Sequence, residues 1–459
     1  MARVKSKAQI ALEVLEDDLK GHFGAPCGYK PSYYHLAWMK LFKELSLLDV
    51  VRSQGFVKIT PTQIKDHTGM EPRLIAKHDF GQQRPWLFEQ YGLNILPLST
   101  QEYVVGKFDT FTKFPTDIDS HPVKRMAFPS HIESIDYQSL TSEAIQLNAA
   151  YIGGVFADFL GEESLEHTLS GRMTTGAFDL DISGLPTLAI AGSQMEIDGG
   201  YEGKGCLAIV EAKNKLSPDF NSRQLYYPFR RFEQVMSTKP VRNVYQVFSD
   251  GVFNLFEYVF EDSRDFTSIR LANRRRYTLD AGVITMAELT NLAHNPPQVP
   301  SGYGQATFPQ ADTFSRVVNA CEFIARQGSS TRQEMIEENG FVPRQAKYYG
   351  DAGEYLGVFE VSDGVISLTP FGKRLMALDS LKERKLAFAG LILADEVFRQ
   401  TFLDSLKLGV LPSKERVASI MTAVGVRDSK GEILGATTIS RRAATVLSWV
   451  RWITNLVTE

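Results

Sequence analysis

Hydrophobic residues recur with two different spacings along the chain, and the change of spacing marks the predicted elements. The stretch YYHLAWMKLFKEL (33–45) has the spacing of a helix, and SLTSEAIQLNAAYIGGVFADFLGEES (139–164) predicts one long helix. The strand-like runs that follow it are TTGAFDLDI, TLAIAGSQMEID, CLAIVEAKN and VYQVFSDGVFNLFEYVFE. A helix followed by several strands predicts an α/β core over residues 119–290.

A second pattern begins after HNPPQVPSGYGQ (294–305), whose proline, glycine and polar residues predict a linker. Beyond this linker, the apolar spacing predicts three helices, over 312–327, 331–340 and 343–357. A two-stranded hairpin is predicted within 358–375, with its turn at Asp363 and Gly364. Three helices and a hairpin of this size predict a winged-helix domain.

These patterns divide the 459 residues into four predicted domains of an α/β (α+β) multidomain protein. Residues 1–118 are predicted to form an N-terminal α+β domain, and residues 119–290 a core with a mixed sheet flanked by helices. Residues 291–385 are the predicted winged-helix domain. Residues 386–459 are predicted to be helical and to resemble a second winged helix.

Composition is that of an ordinary globular protein, with 43% hydrophobic and 23% charged residues. Because the sequence lacks an apolar run of the roughly 20 residues that a membrane span needs, we expect no membrane association. The three cysteines, Cys27, Cys206 and Cys321, are dispersed, which favours a reducing, cytoplasmic location. The sequence has no zinc-type spacing of cysteine and histidine, so we expect any metal to have oxygen ligands.

Candidate chemistry lies in EIDGGYEGKGCLAIVEAK (196–213), which has the pattern of a β-hairpin. A hairpin centred between Lys204 and Gly205 pairs Asp198 with Glu211, since both are equidistant from that centre. Directly opposed residues have Cβ atoms about 4.5–5.5 Å apart, close enough for two carboxylates to hold one divalent cation. Because side chains alternate along a strand, Lys213 is predicted to share the face of Glu211.

Asp198 followed at this distance by Glu211-Ala212-Lys213 matches the PD-(D/E)XK nuclease pattern, with Ile197 in the place of proline. In such a site, carboxylates place Mg²⁺ on the scissile phosphate, and the cation lowers the pKa of an attacking water. Lys213 is predicted to orient that water. The alternative interpretation is a surface hairpin with solvated charges.

Further residues around this hairpin are candidates for the same site. Glu143, in the first turn of the preceding helix, is the candidate for a further catalytic carboxylate, although the helix dipole also favours an acid there. A predicted helix just after the hairpin offers hydrogen-bond donors to phosphate, and one arginine lies before the hairpin. These candidates are Arg223, Gln224, Arg230, Arg231 and Arg172.

The chain resembles type II restriction endonucleases that have an N-terminal domain, a PD-(D/E)XK core and a winged-helix C-terminus. The segments that carry this resemblance are TSEAIQLNAAYIGG, QMEIDGGYEG, IVEAKN, RQLYYPFR, MEPRLIAKHDF and LNILPLSTQEYVVGKFD. The resemblance implies Mg²⁺-dependent cleavage of double-stranded DNA at a short sequence, and a partner methyltransferase that protects the host. It also implies that Asp198, Glu211 and Lys213 are the catalytic set, with Glu143 as a fourth member.

Recognition of a DNA sequence is predicted for the other domains, because cleaving one phosphate needs only the core. The net charge of −4 provides no overall attraction to DNA, so the contacts must be local. Residues 1–118 are assigned to DNA recognition. The candidate contacts in the C-terminal half are Arg344, Gln345 and Lys347 in the predicted recognition helix, and Arg441 and Arg442 near the end. A palindromic target would match a homodimer.

Two other classes of function stay open on the sequence alone. One is a repair, structure-specific or modification-dependent endonuclease, for which Tyr33, Tyr34 and Trp38 could form an aromatic cage or simply helix core. The other is a winged-helix DNA-binding protein whose nuclease-like domain is inert. The complete set of Asp198, Glu211 and Lys213 favours an enzyme.

Overall fold

The structure is a computed structural model that describes residues 6–118, 121–137, 140, 142–214, 216–279, 282–339, 343–378, 380–428 and 431–457. Within these residues the chain is a mixed α/β protein with a seven-stranded mixed sheet, smaller antiparallel sheets and many helices. No helix in the described part of the chain is both long and apolar enough to cross a membrane. The predicted helix end at Gly340 lies outside the described residues.

The N-terminal unit combines helices with a small antiparallel sheet. Its helices are α1 Lys7–Val14, α2 Glu16–Phe23, α3 Tyr33–Glu44, α4 Leu47–Gln54, α5 Pro61–Thr68, α6 Pro72–Ala76 and α7 Trp86–Tyr91. Its strands are β1 Phe56–Ile59, β2 Asn94–Pro97 and β3 Tyr103–Gly106, in the order β1-β3-β2. The predicted helix over 33–45 is therefore confirmed as α3. Trp38 of α3 is fully buried and donates from its indole N–H to the carbonyl of Ile75 over 2.8 Å, so it belongs to the core.

The central unit holds the large sheet. Its strands are β4 Phe111–Lys113, β5 Val123–Arg125, β6 Glu166–Thr174, β7 Ala177–Leu180, β8 Leu188–Ala191, β9 Gln194–Glu202, β10 Leu207–Lys213, β11 Asp219–Asn221, β12 Val241–Ser249, β13 Val252–Phe260 and β14 Ile269–Thr278. Its helices are α8 Glu143–Ile152, α9 Val155–Leu160 and α10 Arg223–Glu233. The sheet order is β5-β14-β13-β12-β10-β9-β6, and the pairs β10/β12 and β14/β5 are parallel. The helix α10 thus lies in the connection between two parallel strands.

The prediction of a single long helix over 139–164 is wrong, because α8 and α9 are separate helices. The chain breaks at Gly153 and Gly154, and Gly154 has a left-handed backbone with a φ of +71°. Glycine adopts this conformation without the steric cost that a side chain brings. The break turns the chain so that both helices pack on the same sheet face, in one hydrophobic cluster with Val210.

The β9/β10 hairpin has the register that the sequence predicts. Ile209 pairs with Gly200 and Val210 with Gly199, so continuing the same register places Glu211 opposite Asp198. The carbonyl of Cys206 accepts a 2.9 Å bond from the N–H of Gly203, which closes the turn. Each strand residue then faces one of two hydrophobic layers.

The two faces of β10 pack against different helices. Ala208, Val210 and Ala212 belong to the cluster that includes α8 and α9, whereas Leu207 and Ile209 belong to the cluster that includes α10. Because side chains alternate along a strand, Glu211 and Lys213 continue the α10 face. The sheet therefore directs both charged side chains toward the start of α10.

The C-terminal unit is mostly helical. Its helices are α11 Met286–His294, α12 Phe314–Gln327, α13 Arg332–Asn339, α14 Pro343–Tyr355, α15 Pro370–Met376, α16 Leu381–Ala394, α17 Glu396–Leu408, α18 Lys414–Val424 and α19 Ala436–Thr454. Its strands, β15 Ser329–Thr331, β16 Phe359–Ser362 and β17 Val365–Leu368, form an antiparallel sheet in the order β15-β17-β16. The predicted hairpin turn is confirmed, since Asp363 and Gly364 both have positive φ values, of 50° and 78°.

One hydrophobic cluster joins the two predicted C-terminal domains. Phe314, Phe388 and Trp449 all belong to it, and the ring centroids of Phe314 and Trp449 are 4.8 Å apart. The unit also contacts the central sheet through polar bonds. Arg316 of α12 donates to the carbonyl of Ser217 over 3.1 Å, between β10 and β11. The C-terminal unit is thus packed against the segment that follows the candidate catalytic strand.

Candidate active site

The three predicted catalytic side chains lie together at the end of the β9/β10 hairpin. An Oδ2 atom of Asp198 accepts a 2.9 Å hydrogen bond from the backbone N–H of Ala212. The Lys213 Nζ donates to Glu211 Oε1 over 2.6 Å and lies 3.8 Å from Asp198 Oδ2. Lys213 also donates to the carbonyl of Ala212 over 2.9 Å. Two carboxylates and one ammonium group therefore meet at one point.

Burial and the neighbouring charges shift the pKa values of Glu211 and Lys213. Glu211 is only 8% exposed, and this burial raises the pKa of its carboxyl to about 7, with Lys213 opposing the shift and Asp198 adding to it. Burial alone would lower the pKa of Lys213, but Glu211, Tyr245 and Asp198 together hold that pKa well above its ordinary value. These carboxylates and Tyr245 therefore favour the protonated form of Lys213.

Glu143 reaches the same site from another element. It begins α8, where Ser142 caps the helix by accepting a 3.3 Å bond from the N–H of Ile145. Glu143 lines the same cleft as Asp198, and its negative charge contributes to the raised pKa of Lys213. The structure thus brings the predicted fourth acid to the catalytic group.

Gln224, in the first turn of α10, contacts Glu211 directly. Its Nε2 donates to Glu211 Oε1, the same oxygen that Lys213 contacts. The Gln224 Oε1 atom is buried and accepts no hydrogen bond from the described residues. An acceptor left in this position can hold a water molecule in the cleft.

The site opens into a cleft of about 580 Å³ between the N-terminal unit and the central sheet. The sheet contributes the predicted catalytic residues to its walls. The N-terminal unit contributes residues that sequence reasoning did not select, including Arg73, Lys77, His78, Asp79 and Tyr103. Arg73 to Asp79 lie within MEPRLIAKHDF, a segment that carries part of the family resemblance but contains no spacing that points to these residues.

Two of the arginines that are predicted to contact phosphate line this cleft. Arg172 is exposed, lies 3.7 Å from the exposed carboxylate of Glu196, and lines the cleft. Arg223 is partly exposed, lines the cleft, and stacks over the ring of Tyr227 at 5.6 Å. Both guanidinium groups can therefore meet an anion that enters the cleft. Arg231 is half-buried against Gly176 and is not part of the cleft wall.

The structure removes Arg230 and Arg442 from the predicted DNA contacts. Arg230 is buried, and it donates to the carbonyls of Ser263 and Asp179 over 2.7 and 3.0 Å. Arg442 is buried and donates to the carbonyl of Phe308. Guanidinium donors that satisfy buried carbonyls are part of the packing, so these two arginines are not available to a phosphate in this structure.

The other C-terminal candidates lie outside the cleft. Arg344 and Lys347 are exposed on α14, where Lys347 pairs with Asp351 over 2.6 Å and Arg344 donates to the hydroxyl of Tyr348. Gln345 on the same helix is half-buried, and Arg441 is exposed on α19. These side chains do not contribute to the catalytic group.

The carboxylates of Asp198 and Glu211 fit the ligand requirements of a hydrated magnesium ion. Within the described residues, no group of three or more His, Cys, Asp and Glu side chains is arranged as a complete metal site. Mg²⁺ in proteins keeps several waters and needs only one or two carboxylates, which Asp198 and Glu211 provide. Burial raises the pKa of Glu211, and a cation at its carboxylate would oppose this shift, while the unpartnered Gln224 Oε1 could accept a hydrogen bond from a bound water.

Three family models match consecutive parts of the chain. Residues 35–105 match a domain of unknown function (DUF6996), residues 106–278 a domain of unknown function (DUF6997), and residues 316–458 a domain of unknown function (DUF7226). Glu143, Asp198, Glu211 and Lys213 all lie in the second match. No curated protein and no solved structure matches the chain.

Proposed function

We propose that the chain is a Mg²⁺-dependent endonuclease with a PD-(D/E)XK core that cleaves double-stranded DNA. The observation that carries this proposal is the meeting of Asp198, Glu211 and Lys213 at the head of an open cleft, with Lys213 Nζ at 2.6 and 3.8 Å from the two carboxylates. Hard carboxylate oxygens beside a fixed ammonium group suit phosphodiester hydrolysis, in which negative charge develops on the phosphate.

Each residue has a defined part in this chemistry. Asp198 and Glu211 would hold Mg²⁺, which supplies Lewis acidity at the phosphate and lowers the pKa of water. Lys213, held in its charged form, stabilises negative charge at the phosphate and orients the attacking water. Gln224 fixes the orientation of Glu211 through its side-chain amide. Glu143 adds a further carboxylate to the lining of the cleft, from α8.

The surroundings support a DNA substrate. Arg172 and Arg223 offer cationic groups at the cleft, where phosphates flanking the scissile bond would lie. In the C-terminal unit, α12, β15, α13, α14 and the β16/β17 hairpin follow one another in the order of a winged helix. On this proposal, α14 is the recognition helix and Arg344 and Lys347 are its exposed contacts.

We further propose that the enzyme is a type II restriction endonuclease that acts as a homodimer at a short site, with a cognate methyltransferase that protects host DNA. The sequence resemblance supports this assignment. A modified-base cage built from Tyr33, Tyr34 and Trp38 finds no support, because Trp38 is fully buried in the core.

The test is incubation of the purified chain with unmethylated phage DNA and Mg²⁺, in parallel with Asp198→Ala. We expect discrete fragments with the wild type and none with the variant. Cleavage only of methylated copies of the same DNA would indicate a modification-dependent nuclease. Binding of diverse DNAs without cleavage would indicate an inert binding protein, and fragments that persist with Asp198→Ala would refute the assigned site.

A further inference from the structure

A short segment of the N-terminal unit is bonded to the strand that follows the catalytic hairpin. The N–H of Asn221, in β11, donates to the carbonyl of Asp79 over 2.8 Å, and the Asn221 Nδ2 donates to the carbonyl of His78 over 2.8 Å. In return, the N–H of Gly81 donates to Asp219 Oδ1 over 2.8 Å. Backbone bonds therefore fix Asp79 relative to β11, which lies between catalytic β10 and α10.

The carboxylate of Asp79 has one oxygen with a partner and one without. Its Oδ2 lies 3.2 Å from the Nζ of Lys77, which is mostly exposed. Its Oδ1 is buried and accepts no hydrogen bond from any described residue. Asp79 lines the same cleft as Asp198 and Glu211, and its negative charge helps to raise the pKa of Glu211. A buried carboxylate oxygen beside a second carboxylate is costly unless a donor or a cation meets it.

Tyr245 provides a second, independent observation. It is fully buried on β12, in register with Glu211 of the parallel strand β10, and its hydroxyl has no hydrogen-bond partner among the described residues. Burial raises the pKa of Tyr245 well above its ordinary value, and the charges of Glu211 and Asp79 add to this effect while Lys213 opposes it. The hydroxyl therefore lies among the same charged groups and lacks an acceptor.

A water molecule can meet either deficit, because it accepts a hydrogen bond from a hydroxyl and donates one to a carboxylate. Waters of this kind surround a protein-bound Mg²⁺, which keeps most of its hydration shell. Outer-shell groups that orient such ligands commonly determine metal affinity.

We infer that Asp79 is a positioning residue of the active site, contributed by the N-terminal unit, and that it holds water in the hydration shell of the divalent cation at Asp198 and Glu211. This inference rests on the proposed function. It makes the site a composite one, since the carboxylate comes from the region matched by one family model and the cation ligands from the next.

The test measures cation binding directly and separately from cleavage. Calorimetric titration of the full chain with Mn²⁺, in the absence of DNA, compares the wild type with Asp79→Asn, which removes the charge but keeps the shape. We expect the variant to bind Mn²⁺ at least about tenfold more weakly, and to need correspondingly more Mg²⁺ for half-maximal cleavage. Asp66→Asn, the same change at an exposed position of α5 outside the cleft, is the matched control and should bind as the wild type does.

Two further variants separate the possible failures. Tyr245→Phe removes only the hydroxyl and should also weaken Mn²⁺ binding. This variant tests the inference if Asp79→Asn does not fold. Wild-type Mn²⁺ affinity in a folded Asp79→Asn, or in Tyr245→Phe where the first variant is unfolded, would overturn the inference. If Asp198→Ala also leaves Mn²⁺ affinity unchanged, the proposed function itself is wrong, whereas loss of binding in Asp198→Ala alone rejects only the role of Asp79.

Discussion

Lys213 Nζ donates to Glu211 Oε1 over 2.6 Å, although the two residues are separated by only one position on the same strand. The alternation of side chains along β10 puts both on the face that α10 covers, while Ala212 between them is buried on the opposite face. A cation and an acid are thus held together by backbone geometry. This arrangement keeps Lys213 charged in a buried place where a lone lysine would lose its proton.

Removing that charge should stop cleavage without removing DNA binding. Lys213→Met keeps most of the side-chain volume, and we expect the cleavage rate to fall by a factor of about 10³ or more, since preorganised charge at the phosphate is lost. DNA binding, measured by gel shift with Ca²⁺ in place of Mg²⁺, should change little because, on the proposed function, most contacts to bases and phosphates are made by other residues. The matched control is Lys204→Met in the exposed hairpin turn, which should cleave normally.

The raised pKa of Glu211 predicts a pH-dependent stability in the absence of a divalent cation. Its carboxyl has a pKa of about 7 in the folded chain against an ordinary 4.5, so the folded state binds this proton more tightly. The free energy of unfolding should therefore fall as the pH rises from about 4.5 through 7, by up to about 3 kcal/mol from this group.

Urea denaturation in EDTA at a series of pH values measures this effect. Glu211→Gln cannot titrate, so its stability should fall less than that of the wild type over this interval. The half-buried Glu322, whose pKa desolvation also raises to about 7, is present in both proteins and cancels in the comparison. Added Mg²⁺ should stabilise the wild type more at pH 8 than at pH 5.5. Parallel stability curves for the two proteins would contradict the assigned titration.

The β9/β10 hairpin could be predicted from the sequence because its register depends on residues close together in the chain. The turn at Gly203 to Gly205 fixes the register, and the register fixes which acid faces Glu211. The helix predicted over 139–164 is too long because that prediction also depends on local spacing alone. The apolar spacing continues through Gly153 and Gly154, and only the left-handed backbone of Gly154 shows where the helix ends.

Contributions from distant segments could not be predicted in this way. Asp79 reaches the cleft through bonds with β11, and no pattern in the chain joins these two segments. Arg230 has the spacing of an exposed helical arginine, yet it is buried because carbonyls from Asp179 and Ser263 converge on it. Periodicity gives the face of a helix but not the partners that tertiary packing brings to it.

The close packing of the hairpin predicts a specific sensitivity at Gly200. A Cβ atom added there would lie 2.7 Å from the Cβ of Leu169 on the neighbouring strand β6. Gly200→Ala should therefore destabilise the fold by about 1–3 kcal/mol, the usual cost of overpacking. Gly21→Ala, on an exposed face of α2 with open space around it, should instead stabilise by up to about 1 kcal/mol. Urea denaturation distinguishes the two, and equal effects would contradict the packing at Gly200.

Cationic residues at the cleft should contribute to DNA binding through phosphate, whereas the buried arginine of α10 should not. Removing one phosphate contact lowers the magnitude of the slope of log K against log[salt] by about 1, because fewer counterions are released. We expect this change for Arg172→Ala and for Arg223→Ala, measured by fluorescence anisotropy with a short duplex in Ca²⁺. Each variant should weaken binding to all sequences alike.

Arg230→Ala is the internal control for this interpretation. Its guanidinium donates to Tyr226 and to two backbone carbonyls inside the fold, so its loss leaves buried acceptors unsatisfied. The expected result is a lower unfolding midpoint with an unchanged salt slope in the protein that remains folded. An unchanged slope for both Arg172→Ala and Arg223→Ala would show that DNA phosphates do not enter this cleft. A reduced slope for Arg230→Ala would show that α10 moves away from the sheet when DNA binds.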